Sequence, residues 1–560
     1  MPSRVLQRAA RPLRHLKLLR RLPGDALSSA LRRYFAASIE GAPRNTGPHS
    51  IAAQCVPDPM YFGLTAAILT DLERQASVGA ELIVTRSISA GMGFGLISEF
   101  RRNTLPNWLL MRQWAKSFAS LAQSVAYRAS SWSHPLEDLV ALVLSFRVWR
   151  RWLALGRNPD VDLAREVVGG IVCGDLVIDS FLRFRPKAAF DAKDPFVWRI
   201  LWQVLRDARR ANRYFARRAV GTYLTTYATY VDHGVTARVA LQYGVSVYVL
   251  SDFFNFLARL TPDRPYQTPD CRGYRASFYA LPSELQSQCL SRSEELLTLR
   301  LSGGLDPAMA YMRSSAYAGD PAGRQAGAAD SLRGAVVVFL HDFYDSPHIW
   351  PGLVFTDFWD WICTTIETLT AADVPFFIKP HPNQISLSDA VISELRAKYP
   401  HVRWLDRSTN NLALAQAPIS CGVTVYGTIA NELAFLGIPT IGAAANPHEA
   451  FGFCRTATSR AEYTSLLQDH SSMPLAPDEM RTQALQFYAM HNKLHQPKAA
   501  ALGAALFRYY AAAVAAMTGA APASAAIESL ELVRREPRYG EVIGELAEGL
   551  RTHPKGLAPE

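Results

Sequence analysis

Short apolar runs alternate with longer amphipathic segments along the chain, and the alternation is clearest between residues 335 and 470. The run 335–340 is unbroken, β-branched and aromatic, which is typical of a strand buried on both faces. Strands are predicted at 336–340, 375–378, 402–405, 419–423 and 439–442, and helices at 355–369, 387–399, 412–416, 427–436 and 460–469. This alternation predicts right-handed crossovers and a parallel sheet.

A second α/β pattern precedes the first. Its predicted strands are 51–56, 81–85, 167–173, 221–226 and 246–250, and its predicted helices are 60–75, 108–127, 136–155 and 196–216. A chain of 560 residues is too long for one core. We therefore predict four parts: an arm at 1–45, an α/β domain with an irregular linker at 46–330, a Rossmann-like domain at 331–490, and helices with a charged tail at 491–560.

The positive charge is concentrated at one end. The net charge is +10, and residues 1–38 hold nine Arg or Lys against Asp25, a local balance of +8. A nucleic-acid-binding domain is disfavoured, because its basic surface should lie in the folded body. Leucines interleave with the cations of this basic amphipathic arm, which predicts contact with an anionic membrane surface. The alternative is a disordered leader or a start codon placed too far upstream.

The remaining composition predicts a cytoplasmic protein. No window offers eighteen uncharged apolar residues, and the best stretch, 139–155, is interrupted by Arg147, Arg150 and Arg151, so no transmembrane helix is predicted. The seven cysteines are scattered, odd in number and never in C-x-x-C spacing. That pattern disfavours a disulfide framework and a zinc site. The predicted location is the cytoplasm, peripheral at the inner face of the plasma membrane.

Two predicted strands stop abruptly in residues suited to a phosphorylated ligand. FFIKPHPN (376–383) places Lys379 and His381 after one strand, and GVTVYGTIANELAFLGIPTIG (422–442) places Thr424, Gly427 and Thr428 before a helix. In open parallel sheets, ligands bind beyond the carboxyl ends of strands and phosphates sit on helix N-termini. The alternatives are a proline-built turn and an ordinary helix N-cap.

These motifs resemble the donor half of GT-B glycosyltransferases. They are most similar to the capsule polysaccharide synthesis group, and HDFYDSPH (341–348), FTDFWDWI (355–362) and GDLVIDSFLRF (174–184) look like the same enzymes. The resemblance implies two Rossmann-type domains facing a cleft, with the nucleotide-sugar in the second and the acceptor in the first. It also implies a metal-independent reaction without a cofactor.

The second domain supplies the candidate donor site. Its predicted donor-binding residues are Lys379, His381, Thr424, Tyr426, Gly427, Thr428 and Glu432. By the resemblance, Glu432 would hydrogen-bond the ribose, and the alternative is a solvated surface carboxylate. His341 and Asp342 follow the first strand of this domain directly and are candidate catalytic groups, with His341 as a second phosphate contact.

The first domain supplies the candidate acceptor site and base. Asp175, Asp179 and Arg183 are spaced by four and would share a helix face, where they orient an acceptor or form a salt bridge. Asp232 or His233 would act as general base. Arg238 lies beyond these two residues and is a further candidate acceptor contact.

A glycine-rich loop follows an early strand of the same domain. Gly91 and Gly93 in GMGFG would form a phosphate-facing or acceptor-facing loop, and the alternative is a plain flexible loop.

The resulting hypothesis is a glycosyltransferase that moves a sugar from a nucleotide-sugar to a growing capsular or lipid-linked polysaccharide. Two alternatives stay open. One is a CDP-polyol phosphotransferase of the teichoic-acid polymerase type. The other is a nonenzymatic GT-B-like component of a polysaccharide assembly or export complex.

Overall fold

The computed structural model divides into two compact units. Unit 1 comprises Met1–Phe184, Asp191–Gln267 and Ala501–Glu560, and unit 2 comprises Arg185–Phe190 and Thr268–Ala500. The structure describes residues 25–39, 49–56, 58–76, 78–85, 114–117, 124–128, 135–156, 162–185, 187–250, 255–304, 332–381, 384, 386–407, 409, 414, 417 and 419–552. The units differ from the predicted domains, because residues 268–304 belong to unit 2 and the C-terminal helices belong to unit 1.

Unit 1 contains a six-stranded sheet and a separate hairpin. The strands are β1 His49–Gln54, β2 Gly79–Val84, β3 Ser124–Arg128, β4 Val167–Val168, β5 Ile171–Val172, β6 Thr222–Thr225, β7 Ser246–Leu250 and β8 Leu257–Leu260. The sheet order is β3-β2-β1-β6-β7-β8, parallel except for the β7–β8 pair. Without the β4–β5 hairpin, this is the 3-2-1-4-5-6 order of a Rossmann sheet.

Helices also form before residue 268 in the part of unit 1 that the structure describes. They are α1 Ala26–Ile39, α2 Pro59–Ala76, α3 Pro135–Leu155, α4 Gly174–Phe184, α5 Pro195–Arg217 and α6 Val231–Gln242. Helix α1 belongs to the predicted basic arm, yet Leu27, Leu31 and Phe35 are buried in the core of unit 1. This part of the arm therefore contributes to the hydrophobic core of unit 1.

Two elements of unit 1 differ from the sequence-based prediction. The helix predicted at 108–127 is wrong at its end, where β3 pairs with β2 instead. The single strand predicted at 167–173 is wrong as well, since Gly169 and Gly170 take φ values of 66° and 88° and reverse the chain. These left-handed conformations suit glycine and produce the antiparallel β4–β5 hairpin.

Unit 2 contains a fully parallel sheet. Its strands are β9 Val336–Phe339, β10 Phe376–Lys379, β11 Arg403–Trp404, β12 Cys421–Val423, β13 Thr440–Gly442 and β14 Cys454–Thr456. Their order, β11-β10-β9-β12-β13-β14, is again 3-2-1-4-5-6. The helices are α7 Tyr274–Tyr279, α8 Ser283–Leu301, α9 Phe358–Ala371, α10 Ser386–Lys398, α11 Ile429–Phe435, α12 Arg460–Gln468 and α13 Pro477–His491. The predicted parallel sheet is confirmed.

Three C-terminal helices complete the chain: α14 Pro497–Met517, α15 Ala523–Arg535 and α16 Pro537–Thr552. Arg534 and Tyr539 both bond the carboxylate of Asp71 on α2, so the charged tail is folded onto unit 1. Within the described part of the chain, Pro497–Met517 alone is long and apolar enough to cross a membrane, by length and composition only. Its residues Leu502, Leu506 and Tyr509 lie in the core of unit 1.

Candidate functional site

The candidate donor residues of unit 2 gather where its strand order reverses. Lys379 ends β10 and pairs in register with Phe339, the last residue of β9, while Val423 at the end of β12 pairs with Val338. His341 follows β9 by two residues and Thr424 follows β12 directly. Their side chains touch, with His341 Nε2 and Thr424 Oγ1 separated by 3.2 Å. Ligands of this fold class bind at such a switch point.

Aromatic rings enclose the His341 imidazole. It stacks on Phe358 with ring centroids 5.1 Å apart at 12°, and the Tyr426 ring lies 4.6 Å away. Tyr426 is held in turn, because its hydroxyl donates to the Ser346 carbonyl at 3.1 Å. Burial, and to a smaller extent the neighbouring His381, lowers the pKa of His341 to about 3. His341 is therefore a neutral imidazole near pH 7.

Lys379 and His381 are ionisable groups whose charged forms are disfavoured by burial. Burial lowers the pKa of Lys379 to about 8, although the charges of Glu432 and Asp406 oppose the shift. Burial also lowers the pKa of His381, with Asp342 raising it and Lys379 lowering it. The Asp342 carboxylate accepts hydrogen bonds from Ser388 Oγ at 2.6 Å and from the Tyr344 N–H at 3.1 Å. An anion bound beside Lys379 and His381 would favour the charged forms of both side chains and so raise their pKa values.

Gly427 and Thr428 shape the approach to Thr424. The Gly427 N–H donates to Thr424 Oγ1 at 3.3 Å. A Cβ at position 427 would lie 2.8 Å from that oxygen and 3.6 Å from His341 Nε2, so this close approach requires glycine. Thr428 occupies the N-cap position of α11 without a side-chain capping bond. The alternative of a helix N-cap is therefore right for the position of Thr428, although its hydroxyl caps no backbone N–H of α11.

Glu432 is buried beside an arginine that the sequence analysis missed. Arg300 Nη1 on α8 lies 3.3 Å from Glu432 Oε1, and both side chains are about 5% exposed. The alternative of a solvated surface carboxylate is therefore wrong, while ribose binding stays a prediction. The signal in the sequence was the position of Arg300 among Leu296, Leu297 and Leu301, all of which are buried in the structure. A guanidinium buried with these leucines requires a counter-charge.

The candidate base of unit 1 also lies at a switch point, between β1 and β6. His233 on α6 contacts Gln54, the last residue of β1, with Nδ1 and Oε1 2.8 Å apart. Burial lowers the pKa of His233 to about 4. The Asp232 carboxylate accepts from Gln203 Nε2 at 2.9 Å. Sequence reasoning missed Gln54 and Gln203, and the signal for Gln54 was a polar residue closing an apolar strand.

Two of the predicted acceptor residues form an internal ion pair. Arg238 donates to both carboxylate oxygens of Asp175, at 2.6 and 2.5 Å, and to the Val172 carbonyl at 2.7 Å. Asp179 is buried on the same helix as Asp175, whereas Arg183 is exposed. The structure therefore pairs Asp175 with Arg238 and not with Arg183. Gly91 and Gly93 lie outside the described residues.

The described residues contain no group of three or more His, Cys, Asp or Glu side chains arranged to hold a metal ion. At the unit 2 switch point the Lys379 ammonium supplies positive charge, and His381 supplies more only when it is protonated.

The class of protein that this architecture defines is a two-unit, Rossmann-like α/β protein with ionisable side chains at a switch point in each unit. No family model and no curated protein matches the chain. Among solved structures, it is similar to a UDP-GlcNAc 2-epimerase of Methanocaldococcus jannaschii in complex with UDP-GlcNAc and UDP. That match has 8% identity, covers 55% of this chain and 93% of the other, and has a TM-score of 0.25, so it carries no argument about function.

Proposed function

We propose that the protein is a glycosyltransferase that moves a sugar from a nucleotide-sugar donor to a growing capsular or lipid-linked polysaccharide. The observation that carries the proposal is the meeting of Lys379, His381, His341 and Thr424 at the switch point of a parallel sheet. KPHP contributes Lys379 and His381, HDFYDSPH contributes His341, and Thr424 lies three residues before the start of the GTIANELAFLGIPTIG segment. The resemblance of these segments to the capsule polysaccharide synthesis family favours sugar transfer over other nucleotide chemistry.

Unit 2 would bind the donor through its phosphates. Lys379 and His381 would neutralise the charge that develops on the leaving nucleoside phosphate, and the hydroxyl of Thr424 would donate a hydrogen bond to it. Glu432 would hydrogen-bond the ribose. We propose a reaction without a bound metal, because these side chains supply the positive charge that a metal ion would otherwise provide.

Unit 1 would activate the acceptor. His233 would take the proton of the acceptor hydroxyl as that oxygen attacks the anomeric carbon and the bond to the donor phosphate breaks. The nucleoside phosphate leaves with the bonding electrons and the proton stays on the imidazole. We also propose that the basic part of the arm before α1, residues 1–24, holds the enzyme at the inner face of an anionic membrane, where lipid-linked acceptors lie.

The test is ligand-dependent thermal stability. A ligand that binds only the folded state raises Tm, so CMP, CDP, UDP, GDP and ADP are compared on wild type, on His381→Ala and on the exposed-histidine control His401→Ala. We expect one nucleotide to stabilise wild type and the control but not His381→Ala. Absence of any responder, or an equal response in all three proteins, would refute the phosphate site.

Turnover distinguishes the proposal from its competitors. Incubation of the responding nucleotide's sugar derivative with polysaccharide acceptor should release the nucleotide and extend the glycan. Phosphate incorporated into the product would identify a CDP-polyol phosphotransferase. Binding without turnover would identify a nonenzymatic component of an assembly or export complex.

A further inference from the structure

The Gln54 side chain occupies the centre of a hydrogen-bond network in unit 1. Gln54 is 2% exposed. Its Oε1 accepts from Thr225 Oγ1 at 2.6 Å and faces His233 Nδ1 at 2.8 Å. Its Nε2 donates to Thr85 Oγ1 at 2.9 Å and to the Asp232 main-chain carbonyl at 2.8 Å. All four possible contacts of the amide are made, which leaves it no alternative partner.

The Asp232 carbonyl determines which way the amide points. A carbonyl oxygen can only accept, so the NH₂ group of Gln54 must face it. The reverse orientation would place two acceptor oxygens 2.8 Å apart inside the protein. The amide oxygen therefore faces His233, and because that oxygen also only accepts, Nδ1 of the imidazole must carry the hydrogen. In neutral histidine the lone pair is then on Nε2.

We propose that Gln54 is a positioning residue that fixes His233 in the Nδ1–H tautomer and thereby presents Nε2 as the proton acceptor. The inference rests on the proposed function only for the role of Nε2. The tautomer is a property of the unliganded protein.

An amide has a different effect from the carboxylate that often orients a catalytic imidazole. A carboxylate stabilises the imidazolium and raises its pKa, whereas a neutral amide orients the ring without adding charge. The ionisable groups beside His233 are Tyr227, whose ring lies 5.4 Å away, and Asp232, whose carboxylate binds Gln203. With Gln54 as partner, His233 stays neutral and able to accept a proton well below pH 7.

The tautomer is measured on protein labelled with ¹⁵N-histidine, because long-range ¹H–¹⁵N spectra distinguish the two ring nitrogens. The His233 signal is assigned from its loss in His233→Gln. We expect the Nδ1–H pattern in wild type and in the control Gln242→Met, which changes an exposed glutamine on α6, the helix that carries His233. In Gln54→Met, which removes the amide oxygen, we expect a mixture of the Nδ1–H and Nε2–H tautomers. An Nε2–H pattern in wild type would overturn the inference whatever the activity.

A carboxylate variant separates orientation from packing. Gln54→Glu retains an acceptor for Nδ1–H, so the tautomer should persist while the pKa of His233 rises. Gln54→Met should lower kcat by roughly 10–100-fold, the usual loss for a residue that orients a catalytic histidine, with KM nearly unchanged. If His233→Ala retains full activity, the base assignment fails while the tautomer result stands, so the two failures are distinguishable.

A second, independent observation concerns the outer face of α3. Five apolar side chains are exposed, and each lies three or four positions from another member of the set: Leu136 (77%), Leu139 (56%), Val140 (44%), Val143 (50%) and Phe146 (44%). Such spacing places them on one helix face. The opposite face, with Ala141, Ser145 and Trp152, is buried in unit 1. The apolar stripe therefore lies on a helix that packing holds in place.

The charges around this stripe have one sign. Arg147 and Arg150 are exposed on the following turns. The acidic residues of α3 are neutralised by the neighbouring helix, since Asp138 binds Arg206 and Arg210 and Glu137 binds Arg213. Neither arginine forms an ion pair with a described residue, and apolar side chains beside such arginines fit an anionic lipid surface. A second copy of this face would bring like charges together.

We infer that the outer face of α3 docks on an anionic membrane independently of residues 1–24. The test is flotation with phosphatidylcholine vesicles, with and without phosphatidylglycerol. Wild type is compared with the double variants Leu139→Ser/Val143→Ser and Arg147→Glu/Arg150→Glu. The control is Leu299→Ser, at an exposed leucine of unit 2. We expect binding to anionic vesicles by wild type and Leu299→Ser, and at least a roughly tenfold loss in both double variants, since each Arg near an anionic surface contributes about 1 kcal/mol. Undiminished binding by the double variants, or loss on deletion of residues 1–24 alone, would overturn the inference.

Discussion

The two switch points share a strand order but differ in chemistry. In unit 2, between β9 and β12, Lys379, His381 and His341 lie together and burial lowers all three pKa values. In unit 1, between β1 and β6, the central group is the neutral amide of Gln54, whose donors and acceptors are satisfied. A bound anion would stabilise the charged side chains of the first arrangement, whereas every hydrogen-bonding group of the Gln54 amide already has a partner. Under the proposed function, the same strand order would position an anion-binding group in unit 2 and a proton acceptor in unit 1.

The largest expected effect comes from breaking the buried ion pair in each unit. Arg300→Met removes the guanidinium that pairs with buried Glu432, and Arg238→Met removes the one that pairs with buried Asp175. Each single variant should lose about 3–5 kcal/mol of unfolding free energy, because the carboxylate stays buried after its ion-pair partner is removed. The doubles Arg300→Met/Glu432→Gln and Arg238→Met/Asp175→Asn should recover much of that loss. Urea denaturation of the wild type, the single variants and the double variants measures the unfolding free energy for both double-mutant cycles. Single variants as stable as wild type would contradict the buried pairing.

Lys379→Met should separate activity from stability. Removal of this group should lower kcat by about 10²–10³-fold, which is typical for the loss of one transition-state charge contact. Tm should stay the same or rise, because the folded protein no longer desolvates an ammonium group. Lys398→Met, a partly exposed lysine of the same unit, is the control for both measurements. A matching loss of activity in the control would remove Lys379 from the donor site.

Nucleotide affinity should depend on pH through Lys379. The unliganded protein has a lowered pKa of about 8 at this group, and a bound phosphate raises it, so binding takes up a proton above that pH. Kd should therefore rise by about tenfold per pH unit above roughly pH 8. Titration calorimetry at pH 8.5 in buffers of different ionisation enthalpy measures the uptake. Proton release, or a pH-independent Kd, would mean that the phosphate lies away from Lys379.

The smallest effect concerns His448, a buried histidine outside both switch points. It is 1% exposed, packs on Phe453 and Phe487, and has no hydrogen bond at either ring nitrogen among the described residues. Burial lowers its pKa to about 3, so the unfolded chain binds more protons between pH 3 and 6.5 and stability falls as pH falls through that window.

His448→Phe should remove this contribution, making the acid limb shallower by up to about 1.4 kcal/mol per pH unit. Nucleotide binding should be unchanged, because His448 is not part of the proposed phosphate site. Chemical denaturation at pH 7 and pH 5 measures the difference. An unchanged acid limb would show that His448 is solvated in the folded protein.

Much of the strand and helix pattern could be predicted from the sequence. In unit 2 the buried runs 336–340, 375–378 and 439–442 became β9, β10 and β13 within two residues at each end, because a parallel strand covered on both faces needs continuous apolar residues. The predicted helix at 108–127 failed where Ser124–Arg128 joined the sheet. Its five residues have no periodicity that opposes a helix, and pairing with β2 decided their state.

Candidate residues were found where a motif interrupts a strand, and missed where the signal is a single polar side chain. Lys379 directly follows an apolar run and His381 stands between two prolines, so their position at a strand end follows from local sequence. Gln54 and Arg300 are each one polar residue in an otherwise apolar neighbourhood. Their partners, His233 and Glu432, are more than a hundred residues away along the chain.

The sequence by itself determined the alternation of strands and helices, the two α/β patterns and the polar residues that end the strands, because these depend on periodicity and on neighbours in the chain. The tertiary structure alone decided that Arg238 pairs with Asp175, that Arg300 neutralises Glu432, and that Gln54 orients His233. Each of those choices depends on which distant groups are desolvated together, since the interaction of a polar side chain depends on its surroundings in the fold and not on its place in the chain.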